Sequence, residues 1–257
     1  MTAHDLELVV ENGDILRGSY QEPFYVGQNL KSAPIMIFCH SFPNGDMKSH
    51  DDLFGKLQNI CASLGLHSIR FDYRGCGSSD GAIENLTLKT ALQDTASIIE
   101  WCKEQGYERR MLTAEGLGAV TGLISFQESA EAGAFFWPVL HTEDFATRNL
   151  QAEEHKGHFD KNGYTDTALG KTSLTLIKEL YEMDLAEVMS HVKYPCLFQH
   201  GSKDQIVPIE FLDIACAHLR NRRIEITSYQ DGEHGLLQEN HRKNMMYHYE
   251  QFIQKYI

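Results

Sequence analysis

The segment that most constrains the fold is residues 110–122, where a short apolar strand runs through a glycine-rich turn directly into a helix. A strand that turns at once into a helix needs small side chains on both sides of its apex, or the two elements collide. Ala114 and Gly118 are these small flanks, and Gly116 stands at the apex. The segment therefore predicts a sharp strand–turn–helix bend whose apex carries no side chain.

Strand and helix patterns alternate on both sides of this bend. Residues 35–39 form a continuous apolar run, which is typical of a strand covered on both faces, and residues 53–64 have helical apolar spacing. The same two patterns recur at residues 68–71 and 88–102. Further strands are predicted at 134–139, 195–199 and 224–229, and further helices at 209–219 and from about 236. This alternation predicts an α/β fold with a parallel sheet covered by helices on both faces.

Two segments depart from the alternation. Residues 6–10 and 15–20 flank an Asn-Gly turn, which is a strong signal for an antiparallel hairpin. Between about residues 141 and 193 the long apolar runs stop, and a helix is predicted only at 174–189. An insertion of this size between two strands usually covers the binding face. We therefore expect one domain over residues 1–257 with a cap at about 141–193.

Charge and composition narrow the classes of partner. The net charge is −13, because 36 acidic residues outnumber 23 basic ones, and such a surface repels nucleic acid and anionic lipid. No apolar stretch approaches the ~20 residues of a membrane span, and no secretory leader pattern follows Met1. The six cysteines are scattered without a CxxC pair. We expect a cytoplasmic protein with no nucleic-acid or membrane partner; the oligomeric state is left open.

Ligands of open parallel sheets bind at the carboxyl ends of the strands, so the segments that follow the predicted strands carry the functional signal. These segments are His40-Ser41-Phe42-Pro43, Arg70-Phe71-Asp72-Tyr73-Arg74-Gly75-Cys76-Gly77-Ser78-Ser79, Ala114-Glu115-Gly116-Leu117-Gly118, His200-Gly201-Ser202-Lys203-Asp204-Gln205-Ile206-Val207-Pro208 and Gly232-Glu233-His234. In this order and spacing they resemble the α/β-hydrolase superfamily over nearly the whole chain. The closest likeness is to cinnamoyl/feruloyl-esterase-like and serine aminopeptidase-like (S33-type) members. The resemblance implies the α/β-hydrolase fold, with a mostly parallel eight-stranded sheet.

The resemblance also implies roles for individual residues. The family order of nucleophile, acid and histidine falls on Gly116, Asp204 and His234. The backbone amides of Phe42 and Leu117 would form the oxyanion hole. His234 would act as the base, and Asp204 would orient its imidazole and stabilise the imidazolium.

The chain departs from the family at two places. Ser41 stands where the family usually has glycine, and Gly116 stands where the family has its nucleophile. Without a side-chain oxygen no acyl-enzyme can form at residue 116. Three hypotheses follow: an engineered loss of the serine, a non-catalytic ligand-binding pseudoenzyme, or a nucleophile-free lyase or hydrolase in which His234 is the base and water fills the vacated volume. A displaced nucleophile at Cys76 or Ser79 is the weaker interpretation, since that loop is structural in the family.

The remaining site predictions concern the ligand. We expect His40, Ser41, Glu115 and Trp137 to contact the substrate, a small molecule with an apolar acyl group. Possible cap walls are Phe145, Phe159, Tyr164 and Tyr181. Neither a cofactor nor a metal is expected, because no carboxylate or thiol at ligand spacing completes a set with the scattered histidines. Those histidines are His141, His155, His158, His241 and His248.

Overall fold

The computed structural model describes residues 3–24, 33–127, 129–150, 163–219 and 223–257. Its strands are β1 Ala3–Val9, β2 Ile15–Gln21, β3 Ile35–Cys39, β4 His67–Phe71, β5 Arg110–Glu115, β6 Gly133–Phe136, β7 Tyr164–Thr167, β8 Gly170–Ser173, β9 Cys196–Gly201 and β10 Ile224–Tyr229. Its α-helices are α1 Leu53–Ser63, α2 Leu88–Glu104, α3 Gly118–Phe126, α4 Thr142–Asn149, α5 Leu174–Glu182, α6 Leu185–Ser190, α7 Phe211–His218 and α8 Glu239–Gln254.

Eight of these strands form one sheet in the order β1-β2-β4-β3-β5-β6-β9-β10. The hairpin strands β1 and β2 pair antiparallel, and β2 also runs antiparallel to β4. The six strands from β4 to β10 in this order are parallel. The predicted fold class is confirmed, since the sheet is mostly parallel and eight-stranded and its carboxyl ends share one edge.

The sheet has a separate hydrophobic core on each face. In β3 the side chains of Ile35, Ile37 and Cys39 join the core that includes α2 and α3. The alternate side chains, Met36 and Phe38, join the core that includes α1 and α8. Successive residues of a strand point to opposite faces, so a continuous apolar run is what a doubly covered strand requires.

The segment between β6 and β9 packs against the rest of the domain through apolar side chains, among them Leu176 and Leu180, and through polar contacts. Ser173 Oγ donates to the carbonyl of Leu86 at 2.8 Å, and Lys171 Nζ lies 2.8 Å from a Glu84 carboxylate oxygen. On α5, the carboxylate of Glu179 accepts a hydrogen bond from the Leu88 amide at the start of α2, at 2.6 Å. These contacts place the segment beside the edge where the strands end.

In the second half of the chain two predicted elements were wrong in detail, and one hairpin was not predicted. The helix predicted at 174–189 is two helices, because Asp184 stops the first and its carboxylate accepts the amides of Ala186 and Glu187 to cap the second. The β7–β8 hairpin was missed, since its polar strands lack apolar alternation. The strand predicted at 134–139 ends at Phe136.

In the described ranges, with their gaps at 25–32, 128, 151–162 and 220–222, there is no helix of the length and apolar character needed to cross a membrane.

Candidate active site

The predicted bend lies between β5 and α3. Gly116, between them, has a left-handed φ of 51°, and α3 begins two residues later at Gly118. A Cβ on Gly118 would overlap the carbonyl oxygens of Cys39 and His40 and lie 2.7 Å from the Cys39 carbonyl carbon. Residue 118 must therefore be glycine, because the elbow packs directly against the backbone at the end of β3.

The space beside Gly116 is filled by a side chain from another loop. A Cβ built on Gly116 would overlap Ser41 Oγ and lie 2.7 Å from Ser41 Cβ. The Leu117 amide, immediately after the apex, donates a hydrogen bond to Ser41 Oγ at 3.3 Å. The expectation of a water-sized vacancy at the apex was therefore wrong, because Ser41 places its hydroxyl there.

The structure brings Asp204 and His234 together. Asp204 lies in the loop after β9, and His234 lies in the loop after β10. His234 Nδ1 is 2.8 Å from Asp204 Oδ2, while Asp204 Oδ1 accepts the amides of Ile206 and Val207, each at 2.9 Å. Every oxygen of this buried carboxylate is thus committed to a hydrogen-bond donor.

The electrostatics of Asp204 follow from these donors. Burial by itself would raise the pKa of Asp204, but hydrogen bonds from His200, His234 and the Val207 amide hold that pKa well below its usual range. The carboxylate is therefore ionised and can only accept, so His234 carries its proton on Nδ1. The lone pair of His234 Nε2 is then available to take a proton, which is what a general base requires.

Two further rings pack around the His234 imidazole. The His50 ring centroid lies 5.2 Å away, nearly perpendicular, and the Trp137 ring centroid lies 5.7 Å away. Burial lowers the pKa of His50, so this neighbour is neutral at pH 7. His50 was missed from the sequence, because it lies in a polar stretch outside the five motifs. In the structure the His50 ring packs against Gly235, the residue after His234, where an added Cβ would lie 3.2 Å from the ring.

The backbone of Ser41 is fixed from both sides. His40 is fully buried, its Nε2 accepts the Tyr73 amide at 3.2 Å, and its Nδ1 therefore donates to the Ser41 carbonyl at 2.6 Å. Burial lowers the pKa of His40 and keeps the ring in this neutral form. The Ser41 amide donates to Glu115 at 3.4 Å, and the other Glu115 oxygen accepts the Ser49 hydroxyl at 2.7 Å.

These groups surround a cavity of about 330 Å³ at the carboxyl edge of the sheet. Its lining comprises Ser41, Phe42, Asn44, Gly45, Asp46, Ser49, His50, Glu115, Gly116, Val139, Phe145, Ala168, Leu169, Ile206, Val207 and His234. Of the residues predicted to contact substrate, Ser41 and Glu115 reach the cavity. His40 and Trp137 are buried behind it and act on its walls.

Among the predicted cap walls, Phe145 lines the cavity. Tyr181 is exposed and pairs with the Thr147 hydroxyl, and the ring of Tyr164 lies under Lys171 Nζ. Phe159 falls outside the described residues, as do His155 and His158. Within the described residues, no group of three or more His, Cys, Asp or Glu side chains is arranged to hold a metal ion.

The two alternative nucleophiles considered from the sequence have structural contacts. Cys76 is buried, with its thiol 3.6 Å from the Pro43 carbonyl, and burial raises the pKa of that thiol to about 12. Ser79 Oγ donates to the Asp72 carbonyl at 2.6 Å and accepts the Arg17 amide at 2.8 Å. Neither side chain lines the cavity.

An eight-stranded, mostly parallel sheet with a strand–turn–helix elbow and an Asp–His pair at its carboxyl edge defines an α/β-hydrolase fold. No family model matches the sequence. Over 164 residues, which are 59% of this chain, it is 29% identical to the bovine protein named Palmitoyl-protein thioesterase ABHD10, mitochondrial. The chain spans about half the length of the curated relatives it matches, here 52%.

Solved structures show the same fold. Est1E from Butyrivibrio proteoclasticus, with ferulic acid bound, matches with a TM-score of 0.82 at 18% identity and covers 98% of each chain. Mouse alpha/beta hydrolase domain-containing protein 10 matches with a TM-score of 0.75 at 21% identity, covering 98% of this chain and 99% of the other. At these identities the likeness is one of fold.

Proposed function

We propose that this protein hydrolyses carboxylic esters or thioesters that carry an apolar acyl group. The observation that carries the proposal is the 2.8 Å hydrogen bond between Asp204 and His234, made by an imidazole that lines the cavity beside Gly116. The names of two similar proteins support the same class, since one is a palmitoyl-protein thioesterase and the other was solved with ferulic acid bound.

In this proposal His234 moves the protons. Its Nε2 takes a proton from the attacking hydroxyl or water and then delivers it to the departing oxygen or sulfur. Asp204 keeps the imidazole in the required tautomer and stabilises the imidazolium that forms between the two transfers. A group that acts as base and then as acid returns to its starting state in each cycle.

Negative charge on the carbonyl oxygen needs donors at the same edge. The amide of Phe42 is the first proposed donor, since Phe42 lines the cavity. The amide of Leu117, which immediately precedes α3, is the second; it donates to Ser41 Oγ in this structure and would turn to the carbonyl oxygen when the substrate is bound. The positive end of the α3 dipole adds to the field of these amides at that point.

The shape and charge of the cavity narrow the proposed substrate. A volume of about 330 Å³ is near the lower end of the ~300–1,000 Å³ typical of ligand pockets, so a short, medium or aromatic acyl group fits better than a long fatty chain. Val139, Phe145 and Leu169 supply an apolar wall for that group. Asp46 and Glu115 line the polar side, where they disfavour an anionic leaving group.

One observation favours a second function. Gly116 has no side chain, so the same cavity could bind an acyl ligand without turning it over, as in a pseudoenzyme. A third possibility is that His234 acts without a protein nucleophile, as the base of a lyase or of direct hydrolysis by water. Both differ from the first proposal in measurable ways.

The test measures hydrolysis of p-nitrophenyl esters and acyl thioesters of increasing chain length by the purified chain. We expect turnover that falls at long chain lengths, and a loss of about 10²–10⁴-fold in kcat/KM for His234→Ala. His248→Ala removes an exposed imidazole on α8 and is the matched control. Acyl-ligand binding without turnover, unchanged in His234→Ala, would replace the proposal with the pseudoenzyme.

A further inference from the structure

The hydroxyl group beside the elbow belongs to the loop after β3 and not to the elbow itself. Ser41 stands where the resembled family has glycine, and Gly116 stands where it has the nucleophile. In the structure the Ser41 side chain occupies the position that a side chain on residue 116 would take, with the Ser41 Cβ 2.7 Å from that Cβ position. The site therefore keeps one hydroxyl at this point, supplied from the opposite backbone.

On this basis we propose that Ser41 is the nucleophile of the reaction, and that its hydroxyl has replaced the one missing from residue 116. The inference rests on the hydrolytic function proposed above and goes beyond it by naming the attacking atom and a covalent intermediate. Ser41 is partly exposed and lines the cavity that Gly116 and His234 also line.

The hydrogen bonding around Ser41 suits this role. Its Oγ accepts the Leu117 amide at 3.3 Å, which uses a lone pair and leaves the hydroxyl proton to be given to a base. That contact places Oγ at the N-terminal end of α3, whose positive dipole stabilises negative charge on the attacking oxygen. The hydroxyl of Ser49, also in the cavity, already donates to Glu115 and is less suited.

The loop geometry also suits it. A nucleophile must be held in place before the substrate arrives, because positional freedom raises the activation barrier. The Ser41 carbonyl accepts the buried His40 ring at 2.6 Å, and the Ser41 amide donates to the buried Glu115 at 3.4 Å. His40 and Glu115 thus act as positioning residues for Ser41.

The proposed reaction balances in two steps. Ser41 Oγ forms a bond to the substrate carbonyl carbon while His234 Nε2 takes the hydroxyl proton; the bond to the leaving oxygen or sulfur then breaks and that atom receives the proton. The product is an acyl ester of Ser41. Water then attacks this ester, gives one proton to His234, and the Ser41–acyl bond breaks as the proton returns to Oγ, which releases the carboxylic acid.

The experiment looks for the intermediate directly. The intact protein is incubated with p-nitrophenyl butyrate, quenched in acid, digested and mapped by mass spectrometry, and in parallel with a short-chain alkyl fluorophosphonate, which bonds to an activated serine oxygen and releases fluoride. We expect one adduct, on Ser41, that is lost in Ser41→Ala and in His234→Ala. Ser41→Ala should also lower kcat/KM by about 10³-fold or more. Ser97→Ala, at a partly exposed serine on α2 outside the cavity, is the matched control.

The double variant Ser41→Gly/Gly116→Ser separates the two proposals. Turnover by the wild type without an adduct, unchanged in Ser41→Ala, would overturn the nucleophile and leave the hydrolase standing. If the wild type showed neither turnover nor an adduct, while the double variant hydrolysed the ester and carried an adduct on residue 116, Ser41 would not be the nucleophile. The same result would show that the other catalytic groups are functional. An inactive, unlabelled wild type and double variant would overturn both.

Discussion

The two halves of the site are built on different principles. At the ends of β9 and β10, Asp204 and His234 contact each other, as the resemblance predicts for the acid and the base, and both oxygens of the carboxylate accept hydrogen bonds. At the ends of β3 and β5, Ser41 stands where the resemblance predicts glycine, Gly116 stands where it predicts the nucleophile, and the Ser41 side chain fills the space beside Gly116. Asp204 and His234 therefore lie at the predicted positions. At the other half of the site a hydroxyl lies beside the elbow, but Ser41 carries it instead of residue 116.

From their contacts we expect the two halves of the site to differ in how well they tolerate substitution. Replacing Asp204 would leave three donors facing a buried space, and each buried unsatisfied group costs about 1–3 kcal/mol. The side chain of residue 41 and a side chain on residue 116 would instead occupy the same space. A serine side chain therefore fits at either position if the other residue is glycine. The nucleophilic mechanism proposed above requires an oxygen at that point, and this requirement does not specify a sequence position.

The largest effect on ester hydrolysis is expected from a substitution in the Asp204–His234 pair. Asp204→Asn retains one acceptor oxygen for the amides of Ile206 and Val207 but turns an amide donor toward His234, which forces the wrong imidazole tautomer. We predict a loss of about 10³–10⁴-fold in kcat/KM for ester hydrolysis, measured under initial-rate conditions.

Asp213→Asn, an exposed carboxylate on α7, is the control for that substitution. If Asp204→Asn hydrolysed esters within a few fold of the wild type, the Asp204–His234 pair would have no part in the reaction, and the comparison between the two halves of the site would fail.

The next effect concerns the backbone contact on which the Ser41–Gly116 half of the site depends. Gly118→Ala would place a Cβ against the carbonyls of Cys39 and His40, which precede Ser41 directly. Alanine is otherwise the better helix residue by about 1 kcal/mol, so any loss reports the overlap alone. We predict destabilisation by about 3 kcal/mol or more, measured by denaturant unfolding.

Gly65→Ala separates overlap from backbone conformation. Gly65 has a φ of 84° with open space around the added Cβ, so its substitution should cost only about 1 kcal/mol. Equal losses at the two positions would mean that the elbow is free to move away from β3, and that Ser41 is not held against it.

The sequence predicted the fold and half of the site well, for physical reasons. Turns are specified by residues close together in the sequence: Ala114, Gly116 and Gly118 specify the elbow, and the Asn-Gly turn specifies the first hairpin. The resemblance predicted the pairing of Asp204 with His234, and the structure gives its physical reason, because the strands before them are parallel neighbours whose carboxyl ends lie together.

The rest of the site depended on contacts that local patterns do not encode. Two α-helices and two strands separate Ser41 from Gly116 in the sequence, and only the three-dimensional packing shows that one fills the space of the other. His50 reaches His234 from a polar loop without periodicity. His40 follows its strand directly but turns into the interior, where a backbone amide satisfies its ring.

A thermodynamic cycle sharpens the account of the Ser41–Gly116 half of the site without relying on activity. Gly116→Ser alone forces its Cβ into the Ser41 side chain, and Ser41→Gly removes that obstruction. The cost of the left-handed φ at residue 116 is present with and without the Ser41 side chain and cancels in the cycle. We predict a coupling free energy of about 2 kcal/mol in favour of the double variant, from unfolding of all four proteins.

Ser49→Gly combined with Gly116→Ser is the control cycle, because Ser49 also lines the cavity but its hydroxyl contacts Glu115. This pair should be additive within about 0.5 kcal/mol. Coupling of similar size in both cycles would indicate a general response of the cavity and would break the claim that two side chains share one volume.

The smallest expected effect is a pH dependence of the contribution that Asp204 makes to stability. The folded-state pKa of Asp204 lies below the ordinary value of 3.8, so the unfolded chain binds more protons at this residue than the fold does. Its contribution to stability is therefore present above pH 3.8 and is lost as the pH falls further. We predict that Asp204→Asn costs about 1.5 kcal/mol of unfolding free energy at pH 7, and that this difference from wild type shrinks below about pH 4. The difference between wild type and Asp213→Asn should stay flat over the same range, whereas an Asp204→Asn difference that is equally flat would mean that the carboxylate is not held ionised by His234 and its other donors.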